Sequence, residues 1–279
     1  MEAMILARKD TVIFPGFSFG LVYDIDENPN IINFRLHNHN DLYEIVLLLN
    51  GDCEFHVEGN IYRLRPHDIV FTRPFEMHKI SCLSEKTYER IIIYIKRDYF
   101  TDKGCEKYLD FLENRGLGTS NLIASDMSDG SAEDCIKRLY KYESEHEYEL
   151  MDSVLTELLF LLNRSKDTSK NFYTKNERIR NIIVYINNNL KEDLSLDSIA
   201  KKFYISKHYM CNVFKKCTGY TINNYITYKR ILLATELHKT GQSLTAASLN
   251  AGFQSYSNFY RAYIKQNGKP PREADKYIV

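Results

Sequence analysis

Residues 195–219, SLDSIAKKFYISKHYMCNVFKKCTG, and residues 243–268, SLTAASLNAGFQSYSNFYRAYIKQNG, are one pattern written twice. Leu196, Ala200, Ile205, Ser206, Met210, Phe214 and Gly219 of the first copy correspond to Leu244, Ser248, Phe253, Ser255, Phe259, Tyr263 and Gly268 of the second. The offset is 48 residues before the turn and 49 after it, so the second turn is one residue longer. Each copy reads as a short helix, a tight turn and a longer helix, the unit that lays one helix in the major groove of DNA. Ser195 caps the first short helix, and Ser206 and Ser255 cap the longer ones. Ala200 is small where the two helices of a unit approach, and Gly252 sits in a turn that favours positive φ. Gly219 ends the first unit as a residue just past a helix does.

Between the copies, residues 222–238 read as a linking helix with Tyr225, Ile226, Ile231, Ala234 and Leu237 inward. A rod of that length spans about 25 Å. That can hold two recognition helices near one DNA turn, about 34 Å, apart. Ahead of the copies, Ile179, Ile182, Ile183, Ile186 and Leu190 mark an amphipathic helix. Met210, Val213 and Phe214 anchor the first longer helix, which leaves His208, Cys211, Asn212, Lys215 and Lys216 outward. Phe259 and Tyr263 anchor the second, which leaves Tyr256, Ser257, Tyr260 and Arg261 outward. For any one of these outward residues, a merely solvated helix face is the competing reading.

The chain of 279 residues carries no net charge, but the balance is uneven. From Phe172 onward there are 17 Lys/Arg against 7 Asp/Glu, whereas the first 171 residues hold 20 against 30. A basic third fits a polyanion partner at the back and something else at the front. The six cysteines form no CxxC pair and no metal-type spacing, so reduced thiols in a cytosolic protein are expected. No signal-peptide stretch opens the chain, and no run of 18 apolar residues occurs, so no membrane span is expected.

From Thr11 to about Lys96 the texture is β. Short runs recur at 31–36, 43–49, 54–57, 61–64, 69–71, 77–82 and 90–95, with turn signals between them. Such spacing suggests a sandwich or barrel, and Gly59-Asn60 reads as a two-residue hairpin turn. Residues 98–114 suggest one helix or two short ones. A helix from about Ser131, its cap, to Asn163 carries a broad apolar stripe over Leu150, Val154, Leu155, Leu158, Leu159 and Leu162, with a break near 144–149. The polar stretch NRSKDTSKNFYTKN, 163–176, reads as a linker.

The back third, about 176–275, resembles the DNA-binding domain of AraC/XylS-type transcriptional regulators. FYISKHYMCNVFKKCTG and LNAGFQSYSNFYRAYIKQNGKPP carry the resemblance. It implies DNA-binding roles for Ser206, Lys207, His208, Cys211, Asn212, Lys215 and Lys216, and for Ser255, Tyr256, Ser257, Tyr260, Arg261 and Lys265. Lys215, Lys216 and Lys265 would meet phosphates. Asn212 stands where Arg is common, which favours adenine over guanine. Ala247-Ser248 replaces a usual Ile-Ala pair and suggests looser packing of the second unit, and Ala274 replaces an aromatic residue.

At the front, His37-Asn-His39, Glu44 and Gly51 resemble the first cupin motif, and Pro74-Phe-Glu-Met-His78 a degenerate second one in which Glu76 stands where Gly is usual. The stretch resembles the cupin-like ligand-binding domain of the same regulators. In metal-binding cupins the equivalents of His37, His39, Glu44 and His78 hold a divalent ion. In these regulators the pattern often persists without one, so the four are read as ligand-binding pocket residues, with a metal as the lesser alternative and no cofactor expected. His56, His67 and His146 read as ordinary surface or edge residues.

The expected architecture is multidomain α and β: a cupin-like β-barrel of jelly-roll type with following helices, then an all-α domain of two helix-turn-helix units joined by a linking helix. The divisions are 1–97 for the sensor, 98–163 for a helical region with a dimerisation role, 164–175 for the linker and 176–279 for DNA binding. The expected function is a ligand-responsive, sequence-specific transcription regulator, an activator of small-molecule (carbohydrate among them) metabolism genes, with no catalytic residues. Its expected partners are promoter DNA, a small-molecule effector, RNA polymerase and a second copy of the chain, in the cytoplasm. The alternatives are a metal-dependent cupin enzyme carrying a DNA-binding domain, and a regulator that ignores ligands.

Overall fold

The computed structural model describes residues 17–27, 29, 37–39, 41–165, 172–173, 177–218, 220–267 and 270–271. The expected strand at 31–36, Gly219, Gly268, Ala274 and most of the linker lie outside them. The chain divides into two compact units, 1–173 and 174–279.

The first unit holds strands β1 (Phe19–Asp26), β2 (Leu42–Asn50), β3 (Cys53–Val57), β4 (Asn60–Leu64), β5 (Ile69–Thr72), β6 (His78–Cys82) and β7 (Tyr88–Lys96). Two short helices follow, α1 (Arg97–Asp102) and α2 (Asp110–Glu113), then β8 (Leu122–Ile123), α3 (Ser131–Ser144), α4 (Met151–Arg164) and β9 (Phe172–Tyr173). One antiparallel sheet has the order β1-β7-β2-β5-β8 and the other β6-β3-β4-β9.

The apolar runs of β2 and β7 are explained by burial on both faces. Tyr43, Ile45, Leu47, Ile91, Ile93 and Ile95 pack with α1, α3 and α4 in one cluster. Val46, Leu48 and Ile92, on the opposite face, pack with Cys53, Phe55, Val57, Ile80 and Cys82 of the second sheet. The result is three layers: helices, first sheet, second sheet. The α4 stripe of Leu155, Leu158, Leu159 and Leu162 is therefore core of this unit.

Several local expectations shift. Strand β1 carried no clean alternation; it enters as the edge partner of β7, Phe19↔Ile95 to Asp26↔Tyr88. The hairpin turn is Glu58-Gly59, with φ of 45° and 85°, because Asn60 already pairs with Val57. Asn60 instead donates its side-chain amide to the Gly118 carbonyl at 2.7 Å. Gly130, not Ser131, precedes α3, and the Ser131 amide is taken by Asp129 Oδ1 at 3.0 Å. Phe172 and Tyr173, read as linker, pair with Tyr62 and Ile61.

The second unit is helical: α5 (Glu177–Asn188), α6 (Leu196–Lys202), α7 (Lys207–Thr218), α8 (Ile222–Lys239), α9 (Leu244–Asn250) and α10 (Tyr256–Asn267). The repeat survives at the level of single hydrogen bonds. Ile205 N donates to Ala200 O and Phe253 N to Ser248 O, each at 3.1 Å. Ser195 Oγ accepts from Ser198 N and Ser243 Oγ from Ala246 N. Ser206 Oγ accepts from Tyr209 N and Ser255 Oγ from Asn258 N, each at 3.2 Å. Every bond up to Phe253 keeps the offset of 48, and those from Ser255 keep 49, so the inserted residue is Gln254. Ala247 and Ser248 are fully buried, and the Ser248 hydroxyl donates to Thr245 O at 2.8 Å. The looser packing expected there is absent.

The turns of the two copies reach left-handed backbone at equivalent positions, Tyr204 (φ 53°) and Gly252 (φ 96°). A Cβ on Gly252 would collide with the Leu190 carbonyl oxygen and the Arg230 side chain. Tyr204 is 95% exposed and meets no such limit. Gly252→Ala is therefore expected to destabilise the protein by about 2 kcal/mol or more. Tyr204→Gly should cost nothing or stabilise by up to about 1 kcal/mol through relief of the left-handed strain. Urea unfolding followed by circular dichroism at a helical wavelength measures both.

Candidate functional site

Strand alternation builds the front site. Glu44 shares with Val46 and Leu48 the face of β2 that looks between the sheets, and His78 shares with Ile80 and Cys82 the matching face of β6. His37 is fixed to His78 by two backbone bonds, His37 N to His78 O at 3.0 Å and His78 N to His37 O at 2.8 Å. His39 O accepts from Phe75 N at 2.8 Å, so its segment is tied to the β5–β6 loop. The four expected residues thus come together: His37, His39, Glu44 and His78 each offer a ligand atom within 4.8 Å of the others. The imidazole centroids lie 4.5 Å apart for His37–His78, 5.4 Å for His37–His39 and 5.5 Å for His39–His78. Tyr94 closes one side, its ring 5.2 Å from His39.

Glu44 and His78 are buried, and His78 Nε2 stands 2.7 Å from Glu44 Oε2. Burial alone would push Glu44 up, but His78 and His39 hold its carboxyl well below the ordinary range, so it is ionised. His78 Nδ1 donates to Glu76 O at 2.8 Å, which turns Nε2 toward the other three groups. His39 Nε2 is buried and 3.7 Å from Glu44, beyond hydrogen-bonding distance. Three imidazoles and one carboxylate, with one ring oriented through its second nitrogen, form a donor set that fits a first-row divalent ion. The same set also fits a polar organic ligand.

Glu76, the odd residue of the second motif, explains itself. It is fully buried and its carboxylate meets Arg115 twice, at 2.7 and 2.5 Å. Gly118 N and Arg73 N also donate to it, at 2.8 and 3.2 Å. Burial pushes Glu76 up, and Arg115 with the Gly118 amide holds it below its ordinary value. Sequence reasoning missed Arg115, which lies 39 residues from Glu76 and carries no motif. Two of the remaining histidines have carboxylate partners: His67 Nδ1 is 2.8 Å from Glu133, and His56 Nε2 is 3.2 Å from Glu54.

The second site is the outward face of α7 and α10. Ser206, Lys207, His208, Asn212, Lys215 and Lys216 are exposed, and Cys211 is half-buried. Lys207 is paired with Asp197 at 3.0 Å, and Asn212 contacts the His208 ring at 3.2 Å. On α10, Ser257, Arg261 and Lys265 are exposed, while Ser255, Tyr256 and Tyr260 are half-buried. Ser206 and Ser255 act as helix caps. Arg261 Nη2 donates to Asn258 Oδ1 at 2.7 Å, which holds the guanidinium along the helix. A cleft of about 440 Å³ beside it is lined by Arg230, Gln254, Asn258, Arg261 and Lys265, with no carboxylate. Gln254 and Asn258 were not singled out from sequence; the one-residue offset change at Gln254 was their signal.

Residues 24–157 match the AraC-like ligand binding domain family, and residues 199–277 match a helix-turn-helix domain family. The chain is 30% identical over 96 residues to the regulatory protein SoxS of Escherichia coli K12, covering 34% of this chain and 90% of SoxS. It is 22% identical over 252 residues to the uncharacterized HTH-type transcriptional regulator YdiP of the same strain, covering 85% of this chain and 79% of YdiP. It is 23% identical over 246 residues to the HTH-type transcriptional activator RhaS of Mannheimia succiniciproducens, covering 86% and 88%. Among the described residues no helix is long and apolar enough to cross a membrane.

Glu76→Gln should destabilise the protein by about 3–5 kcal/mol at neutral pH, because Arg115 is left buried without its counter-charge. The folded-state value of Glu76 is depressed, so its contribution is present above the unfolded value and lost as pH falls through the folded one. The gap between wild type and variant should therefore narrow below about pH 4. Urea midpoints taken across the acid range measure it.

Proposed function

The chain belongs to the AraC-type family of transcription regulators, with an N-terminal ligand-binding domain and a C-terminal helix-turn-helix DNA-binding domain, and from that premise we propose that it is a ligand-responsive, sequence-specific regulator that activates genes of small-molecule metabolism, carbohydrate use among them. It is a regulator and not an enzyme. The observation that carries the proposal is the bond-for-bond repetition of two helix-turn-helix units whose outward faces hold cations and amides. The effector binds at His37, His39, Glu44 and His78 and favours the arrangement whose recognition helices match the operator. RNA polymerase and a second copy of the chain complete the set of partners.

Within this reading the two units differ in what they offer. The first presents His208, Cys211 and Asn212, with Lys215 and Lys216 behind them. Lys207 is paired with Asp197 and serves less. The second presents Arg261, held by Asn258, and reads a guanine edge more readily than an adenine one. The test starts from an operator selected with the purified protein from a pool of random duplexes. Arg261→Ala should lose about tenfold or more on that operator and little on random duplex. Lys215→Ala should weaken both alike and reduce the salt slope by about one. Equal losses on both DNAs for Arg261→Ala would remove the base-reading role.

A second reading of the front site is favoured by the four ligand atoms within 4.8 Å: a divalent metal ion is itself the effector or holds it. Elemental analysis of purified protein, and thermal unfolding with and without added zinc, check this. Metal occupancy near one per chain and a rise in unfolding temperature that His78→Ala abolishes are expected. Metal-free protein with no shift leaves the organic effector.

A further inference from the structure

Cys53 opens β3 and Cys82 closes β6, and the two face each other in the ladder. Both side chains are buried and their sulfurs lie 3.6 Å apart. The hydrogen bonds around them fix the kind of pair. Leu83 N donates to Asp52 O on one side at 2.8 Å, and Glu58 N to Met77 O at the far end at 3.0 Å. Bonded and non-bonded pairs alternate along an antiparallel ladder, so Cys53–Cys82 is a non-bonded pair. At such pairs the Cα atoms stand roughly 4.5 Å apart and side chains on one face come closest. That spacing lies within the range a disulfide spans, roughly 4.4–6.8 Å. The pair type is thus one that a disulfide can bridge.

We propose that Cys53 and Cys82 form a covalent modification site, a thiol pair that hydrogen peroxide converts to an intramolecular disulfide stapling β3 to β6. Strand β6 is the edge of its sheet and Cys82 its last residue, so opening of that strand end admits an oxidant no larger than peroxide. Cys53 donates its S–H to the Cys82 sulfur. That bond lowers the Cys82 thiol against the opposing effect of burial, and the Arg90 guanidinium adds to it. Cys82 is therefore the attacking sulfur.

The chemistry balances in two steps. The Cys82 thiolate attacks one peroxide oxygen, the O–O bond breaks, and the departing hydroxide takes up the proton the Cys82 thiol gave up and leaves as water, with Cys82 now a sulfenic acid. The Cys53 sulfur then displaces the hydroxyl from the Cys82 sulfur. An S–S bond forms, the S–O bond breaks, and a second water carries off the remaining proton. Two thiols are oxidised and one peroxide is reduced. The staple closes 29 residues of chain and lies on the ladder whose other end holds His78 against Val57. The thiol state thus acts on the strand that presents His78 to Glu44.

The full chain is treated with hydrogen peroxide in native buffer, quenched, alkylated in denaturant, digested and mapped by mass spectrometry. The expected result is a linked Cys53–Cys82 peptide pair that dithiothreitol abolishes. The oxidised chain should unfold at least about 4 °C above the reduced one. In Cys53→Ser, dimedone should trap Cys82 as a sulfenic acid and the rise should vanish. Should that variant fail to fold, the wild-type map decides alone. The proposal is overturned if peroxide-treated wild type leaves both cysteines open to alkylation. It is equally overturned if Cys82 proceeds to sulfinic acid while Cys53 stays free.

Discussion

Burial of β2 and β7 on both faces is the constraint from which the first unit follows. A strand with apolar side chains at successive positions must be covered twice. One face takes the helices, through Tyr43, Ile45 and Leu47, and the other takes the second sheet, through Val46 and Leu48. This double covering is what puts a carboxylate indoors. Glu44 falls on the inner face because it lies two residues before Val46, and it is stable there because His78 arrives on the opposing strand and His39 stands beside it. Moving β2 by one residue would send Glu44 among the helices and break the pocket.

The pocket is held by backbone as much as by side chains. His37 is bridged to His78, His39 is tied to Phe75, and His78 leans on the Glu76 carbonyl. Glu76 in turn anchors Arg115 and Asn121 and accepts from Gly118 N. A charge network built on the Glu76–Arg115 pair thus lies directly behind the ring that faces Glu44. Networks of this kind orient a binding residue at the expense of tolerance to change. An unusual residue within a degenerate motif here marks a support, not a loss.

The repeat of the back third was legible down to the caps at Ser195, Ser206 and Ser255 and the longer second turn, because helix-turn-helix geometry is local and each bond spans few residues. The fourfold His/Glu cluster was legible as a motif. Its convergence followed from the resemblance and not from spacing, since it depends on the register of β6 against β3 and on the His37–His78 bridge. Strand β1 was missed because edge strands need no alternation when a neighbour such as β7 supplies their bonds. The hairpin turn was placed one residue late because Asn60 has turn-like chemistry, but uses its amide on Gly118 instead. The Cys53–Cys82 contact was invisible to spacing rules, which look for neighbours in sequence and not across a ladder.

The two recognition helices are not independent, and the reason is Gly252. Its missing side chain lets the second turn lie against the Leu190 carbonyl, just past α5, while Arg230 of α8 donates to Leu190 O and Glu192 O at 2.8 Å each. Three segments meet there: the chain just past α5, the helix that packs on α7, then the linking helix α8, and the turn ahead of α10. The first copy has no such junction at Tyr204, which projects into solvent. One copy of the repeat was thus released from the rule that the other obeys. The turn ahead of α10 and the linking helix α8 thus share one anchor, the Leu190 carbonyl.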